Sequence, residues 1–127
     1  MSIGVNAVTI IFTVADMART ERFYREHLGL RFERHAEDGH VFLMTILAGG
    51  VELMVFEGEP KPGNTPNVVF GLAAGGIDTL VERLAVAGIE IVTPVSPAPG
   101  GWFAEFRDPD GQVVSYYQAQ DLPRALA

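Results

Sequence analysis

Carboxylates, histidines and aromatic rings are the groups in this sequence best suited to chemistry, since none of its 127 residues is cysteine. There is therefore no thiolate metal site, disulfide or thiol nucleophile. Of the three histidines, His27 falls in the last turn of an expected helix, a position where the helix dipole suits a basic side chain. His35 and His40 flank the turn Glu37-Asp38-Gly39, five residues apart on adjoining strand ends. They are the best local pair for a metal ion, although histidines at loop edges are more often simply solvated. Trp102 and Phe103 follow the Pro- and Gly-rich stretch 96–101, so either ring is positioned to close over a flat ligand. Such stacking contributes about 1 kcal/mol beyond area burial. Gly-rich phosphate loops, nucleophile elbows and His-Glu-x-x-His motifs are missing, which disfavours hydrolase and nucleotide-dependent chemistry.

Charge and composition narrow the classes further. Sixteen acidic against nine basic residues give a formal charge of -7, which favours cationic partners and disfavours nucleic acid. The ordinary role of such a balance is solubility. No apolar run approaches the ~20 residues that cross a bilayer, and no basic segment precedes the first apolar run, so a cytoplasmic protein without membrane contact is expected.

The elements that must position these groups repeat. Val8, Ile10, Phe12 and Val14 alternate with Ala7, Thr9, Ile11 and Thr13, which predicts a strand with one apolar face. Asp16 caps an expected helix over 17–28 that stops at Gly29, with Phe23, Tyr24, His27 and Leu28 on one side. Strands are expected at 30–36, 41–47 and 51–57. The segment GEPKPGNTP, residues 58–66, reads as a linker. The order then restarts with a strand at 67–73 and a helix at 78–87, with Thr79 and Glu82 as a capping box. Strands at 89–95, 102–107 and 113–118 complete it, and the tail covers 119–127. The fold class is α+β, with tandem βαβββ modules (about 5–57 and 67–118) forming one domain of curved mixed sheets. A ferredoxin-like sandwich, the alternative, needs only four strands.

Two segments carry a resemblance. FTVADMARTERFYREHLGLRFE (residues 12–33) and GGWFAEFRDPDGQVVSYYQ (residues 100–118) resemble the glyoxalase, bleomycin-resistance and extradiol-dioxygenase superfamily, also called vicinal oxygen chelate proteins. GIDTLVERLAVAGIEIVTPV, residues 76–95, is similar to that family's second helix and following strand. The resemblance implies two modules that curl around a cup, with metal ligands on the first and last strand of each. Here those positions fall on Thr9, Glu52, Asn67 and Ser115, so Glu52 alone is a strong ligand.

No metal or other cofactor is therefore expected, because a catalytic zinc takes about three protein ligands and hard cations take several oxygens. By alternation, Ala7, Ile11 and Thr13 accompany Thr9 on the cup face. Met54 and Phe56 accompany Glu52, Val69 and Gly71 accompany Asn67, and Val113 and Tyr117 accompany Ser115. Glu105 joins them if Phe106 faces the helix. The expected ligand contacts are Thr9, Asn67, Trp102, Phe103, Glu105, Ser115 and Tyr117, with Glu52 as the one candidate catalytic base unless it pairs with a cation such as Arg107. The resemblance implies a metal-independent binder of an aromatic or cationic small molecule, working as a homodimer. The rival is a glyoxalase-like lyase or isomerase, or a dioxygenase-related enzyme. An accessory role has no positive sign.

Overall fold

The computed structural model describes residues 4–47, 49–60, 66–107, 109, 111 and 113–126. Its first module runs β1 (Val5–Val14), α1 (Met17–Leu28), β2 (Glu33–Glu37), β3 (His40–Ile46) and β4 (Glu52–Glu57). The second repeats the order as β5 (Asn67–Leu72), α2 (Ile77–Val86), β6 (Ile91–Ala98), β7 (Gly101–Arg107) and β8 (Val113–Ala119). Most of the linker, residues 61–65, and Asp108 and Asp110 of the DPDG segment lie outside the described residues.

The strands form one curled eight-stranded sheet in the order β2-β3-β4-β1-β5-β8-β7-β6. β1 pairs in parallel with β4, and β5 pairs in parallel with β8. An antiparallel ladder between β1 and β5 joins the modules. Sequence periodicity identifies strands but not their lateral partners, so this central seam was not legible in advance. Pro94 and Pro97 sit in β6 at the sheet's edge, where missing N–H donors are tolerated.

Both helices pack on the convex face. Met17, Leu43 and Val55 form the core beneath α1, with Phe12, Val14 and Phe32 around them. Leu72, Ile77, Leu80 and Ala104 form the core beneath α2. Burying a side chain such as Leu43 or Ile77, both 0% exposed, stabilises the fold by about 1.5–3 kcal/mol. The alternate residues of the same strands are thereby committed to the concave face.

Helix caps explain how the ends hold. Asp16 Oδ1 accepts a hydrogen bond from Arg19 N at 3.0 Å, and Gly29 stops α1 in the left-handed conformation. The Thr79–Glu82 capping box does not form; Gly76 is the N-cap and no side chain of the cap residue bonds the helix. The tail takes that role. Gly76 N donates to Pro123 O at 2.7 Å and Asp78 N donates to Arg124 O at 2.9 Å. Ile77 N donates to the buried Gln118 Oε1 at 2.9 Å, and Thr79 Oγ1 accepts from Leu126 N. A nonlocal segment has replaced the local motif because it satisfies several orphan N–H groups of the first turn together.

Candidate functional site

The concave face encloses a cavity of about 510 Å³. Its floor follows from strand register. Glu52 lies opposite Thr9, Thr9 opposite Val69, Val69 opposite Ser115, and Ser115 opposite Glu105. These five residues form one row across both modules, and all of them line the cavity. Asn67 lies opposite Ile11 in the neighbouring row and also faces inward.

Side-chain hydrogen bonds organise the row. Thr9 Oγ1 donates to Glu52 Oε1 at 3.4 Å, a long contact that leaves most of the carboxylate's accepting capacity open. Glu105 is held more tightly: Thr93 Oγ1 donates to Oε1 at 2.6 Å and Asn67 Nδ2 donates to Oε2 at 3.2 Å. The two carboxylates therefore differ. Glu105 is tied into the wall by neutral donors on both oxygens, whereas Glu52 meets a single weak donor among the described residues.

The module-one wall is aromatic. His35, Phe42 and Phe56 occupy successive positions of one cross-strand row, with ring centroids 5.6 Å apart for His35–Phe42 and 5.2 Å for Phe42–Phe56, both stacked. His35 Nε2 lies 3.4 Å from Glu33 Oε2 without hydrogen-bonding geometry. Met44 and Met54 pair in the next row and supply deformable apolar surface.

The rim is closed by one contact between the modules and one within the second. Gly100 N donates to Asp38 Oδ2 at 3.0 Å, and the Tyr117 hydroxyl donates to Pro99 O at 2.8 Å. Burial pushes the Tyr117 hydroxyl above its ordinary pKa, and the negative charges of Glu37, Glu52, Asp38 and Asp121 push it the same way. It therefore stays a hydrogen-bond donor. The same electrostatics make the cup and its rim a negative environment, and no lysine or arginine is among the described residues that line it.

Thr9, Glu52, Asn67, Phe103, Glu105, Ser115 and Tyr117 meet around this cavity. Trp102 does not. Strand alternation turns it to the convex face, where it packs against the core under α2 with the Arg124 guanidinium 4.1 Å from its ring centroid. Residues 96–98 of the Pro- and Gly-rich stretch belong to β6, so the chain preceding Trp102 is a hairpin with Ala98 opposite Gly101. Of the expected neighbours, Ile11, Met54, Phe56 and Val69 line the cavity, while Ala7, Thr13, Gly71 and Val113 are not among its lining residues. Arg107 pairs with Glu90 at 2.9 Å and not with Glu52.

Sequence reasoning missed Phe42 and Met44 as wall residues and missed the inward aim of His35, Glu37 and His40. The signal available was the period of two in 41–47, which places Phe42 and Met44 on one face without saying which.

The fold and the cup define a chain of the vicinal oxygen chelate kind. It belongs to the Glyoxalase/Bleomycin resistance protein/Dioxygenase superfamily, whose model matches residues 5–116. No curated protein sequence matches it. Among solved structures, it is similar to methylmalonyl-CoA epimerase from Mycobacterium tuberculosis, with a TM-score of 0.68, 16% identity, and coverage of 94% of this chain and 92% of the other. The Streptomyces coelicolor methylmalonyl-CoA epimerase (E43L) in complex with 2-nitronate-propionyl-CoA gives 0.67, 15%, 95% and 98%. A Legionella pneumophila protein described as NAD-dependent benzaldehyde dehydrogenase gives 0.66, 19%, 88% and 98%. At these identities the likeness is one of fold, and function has to be argued from the site.

The family resemblance implies a metal at Thr9, Glu52, Asn67 and Ser115, and these donors do not suit one. They comprise one carboxylate, two neutral hydroxyls and an amide whose Nδ2 already serves Glu105. Glu105, the other carboxylate in the row, has both oxygens in hydrogen bonds. Among the described residues, no three histidine, aspartate or glutamate side chains group to hold an ion, and the His35/His40 pair gains no third partner. No step is assigned to a metal.

Proposed function

We propose that this protein is a metal-independent binder of a small molecule that joins an aromatic body to a basic amine. One observation carries the reading: among the described residues, Glu52 stands in an apolar cup with a single weak internal donor and no lysine or arginine beside it. A carboxylate so placed is best satisfied by an N–H cation from the ligand, and charge-assisted bonds of that kind are the strong ones. The His35–Phe42–Phe56 ladder and the methionines offer the flat apolar wall that the remainder of the ligand needs. The acidic net charge supports capture of a cation.

The reading includes a cytoplasmic homodimer. Phe23 and Leu28 on α1, 51% and 56% exposed, are apolar surface that a second copy would cover, and sedimentation would measure it. Among the described residues no helix is long and apolar enough to cross a membrane.

The test is a thermal-shift series of aromatic amines against neutral isosteres of equal size. A ligand at a hundred times its Kd should stabilise the native state by about 2.7 kcal/mol. Amines should shift the transition and neutral isosteres should not; equal shifts for both would remove Glu52 from recognition.

A lyase or isomerase is the second reading, favoured by two carboxylates, Glu52 and Glu105, in one row on opposite modules. Glu52 would be its base. It requires turnover of thiol–aldehyde adducts or acidic C–H substrates that is lost in Glu52→Ala.

A further inference from the structure

Glu105 fixes the Asn67 amide so that it offers an acceptor to the cup. A carboxylate only accepts hydrogen bonds, so the edge of the Asn67 amide that meets it at 3.2 Å must be the N–H edge. The opposite edge, Oδ1, is thereby fixed as an acceptor on a residue that lines the cavity. Thr93, donating to the other Glu105 oxygen at 2.6 Å, keeps that carboxylate from rotating. Tyr117 follows the same pattern, since its hydrogen is directed to Pro99 O and its oxygen is left as an acceptor.

Glu52 and Asn67 offer their acceptors from different modules. β1 lies between them, with Thr9 opposite Glu52 and Ile11 opposite Asn67. Two ladder steps separate the strands by about 10 Å and two residues add about 7 Å along β1, before the side chains converge on the concave side. Ile11 and Met54, paired on adjacent strands, supply apolar surface between the two acceptors. A single ring fits that interval.

We propose that the ligand carries two N–H donor groups flanking an apolar body, one met by Glu52 and the other by Asn67 Oδ1, with Glu105 and Thr93 as positioning residues. This rests on the reading of the cup as an amine site. It adds a second recognition point and a residue that acts through another.

Calorimetric titration with p-xylylenediamine and with p-methylbenzylamine tests it, because the two probes differ only in the second amine. The diamine should bind more tightly by about ten- to a hundredfold, the range for a hydrogen bond to a charged group. Asn67→Leu should erase that advantage, read as the ratio of the two affinities within that protein. Glu105→Leu should reduce the advantage in the native background and change nothing further in Asn67→Leu. Equal affinity for both probes, or an advantage that survives Asn67→Leu, overturns the two-donor ligand. Failure of both probes to bind overturns the amine site itself and the two-donor ligand with it. A readout without ligand separates the roles: isotope-labelled protein should show through-hydrogen-bond coupling from Asn67 Nδ2 to the Glu105 carboxyl carbon, and its absence overturns the positioning role.

Discussion

Thr9 and Glu52, 43 residues apart in sequence, stand opposite each other on β1 and β4 with Thr9 Oγ1 3.4 Å from Glu52 Oε1. The contact orients the carboxylate without satisfying it. Thr9→Val should therefore weaken amine binding by less than about 1 kcal/mol, the lower range for a neutral hydrogen bond. Titration calorimetry on folded Thr9→Val would check this; loss of binding comparable to removing the Glu52 charge would mean that the hydroxyl itself contacts the ligand.

Gln118 links the sheet to α2. It is 1% exposed, accepts from Ile77 N at 2.9 Å and donates to Leu122 O at 3.0 Å. Gln118→Leu leaves a buried N–H and a carbonyl unpaired, and should cost about 2–3 kcal/mol. Urea unfolding should show a lower midpoint with an unchanged slope.

Gly76 has φ 83°, and a Cβ there would lie 2.5 Å from Leu126 Cγ. Gly76→Ala combines left-handed strain with displacement of the tail, and should cost about 2 kcal/mol. Proteolysis should release the segment after Gln118 faster in this variant than in the native chain. An unchanged rate would show that the tail docks independently of the cap.

Burial raises the pKa of both Tyr116 and Tyr117, and nearby acidic groups add to the effect at Tyr117. The folded chain therefore holds these protons more tightly than the unfolded chain. Their contribution is fully present below about pH 10, the unfolded value, and is lost as pH rises through the higher folded values. Tyr117→Phe should flatten the alkaline decline in stability. An unaltered decline, followed by urea midpoints across that range, would contradict the assignment.

Local rules made much of this architecture legible. Alternation in residues 8–14 sorted Phe12 and Val14 to the helix side and Thr9 and Ile11 to the cup, and Asp16 and Gly29 bounded α1. Phe103, Glu105 and Tyr117 were also readable, since one assumption about Phe106 settles β7 and its ladder with β8. What escaped depended on contacts distant in sequence. The β1–β5 seam and the tail that replaces the Thr79–Glu82 cap each rest on a partner that no local window contains, whereas the convex placement of Trp102 follows from the alternation that turns Phe103 inward. The Thr93–Glu105–Asn67 chain is of the same kind, because three strands must be registered before it exists.

Glu52 is proposed to capture an amine without a metal. Calorimetric titration of p-methylbenzylamine into chelator-dialysed protein, beside Glu52→Gln, tests it most directly. Saturable binding at one site, weakened by about 2 kcal/mol or roughly thirtyfold in Glu52→Gln, is the predicted result. Binding that appears only after a divalent ion is restored, or that is equal in both proteins, would contradict it.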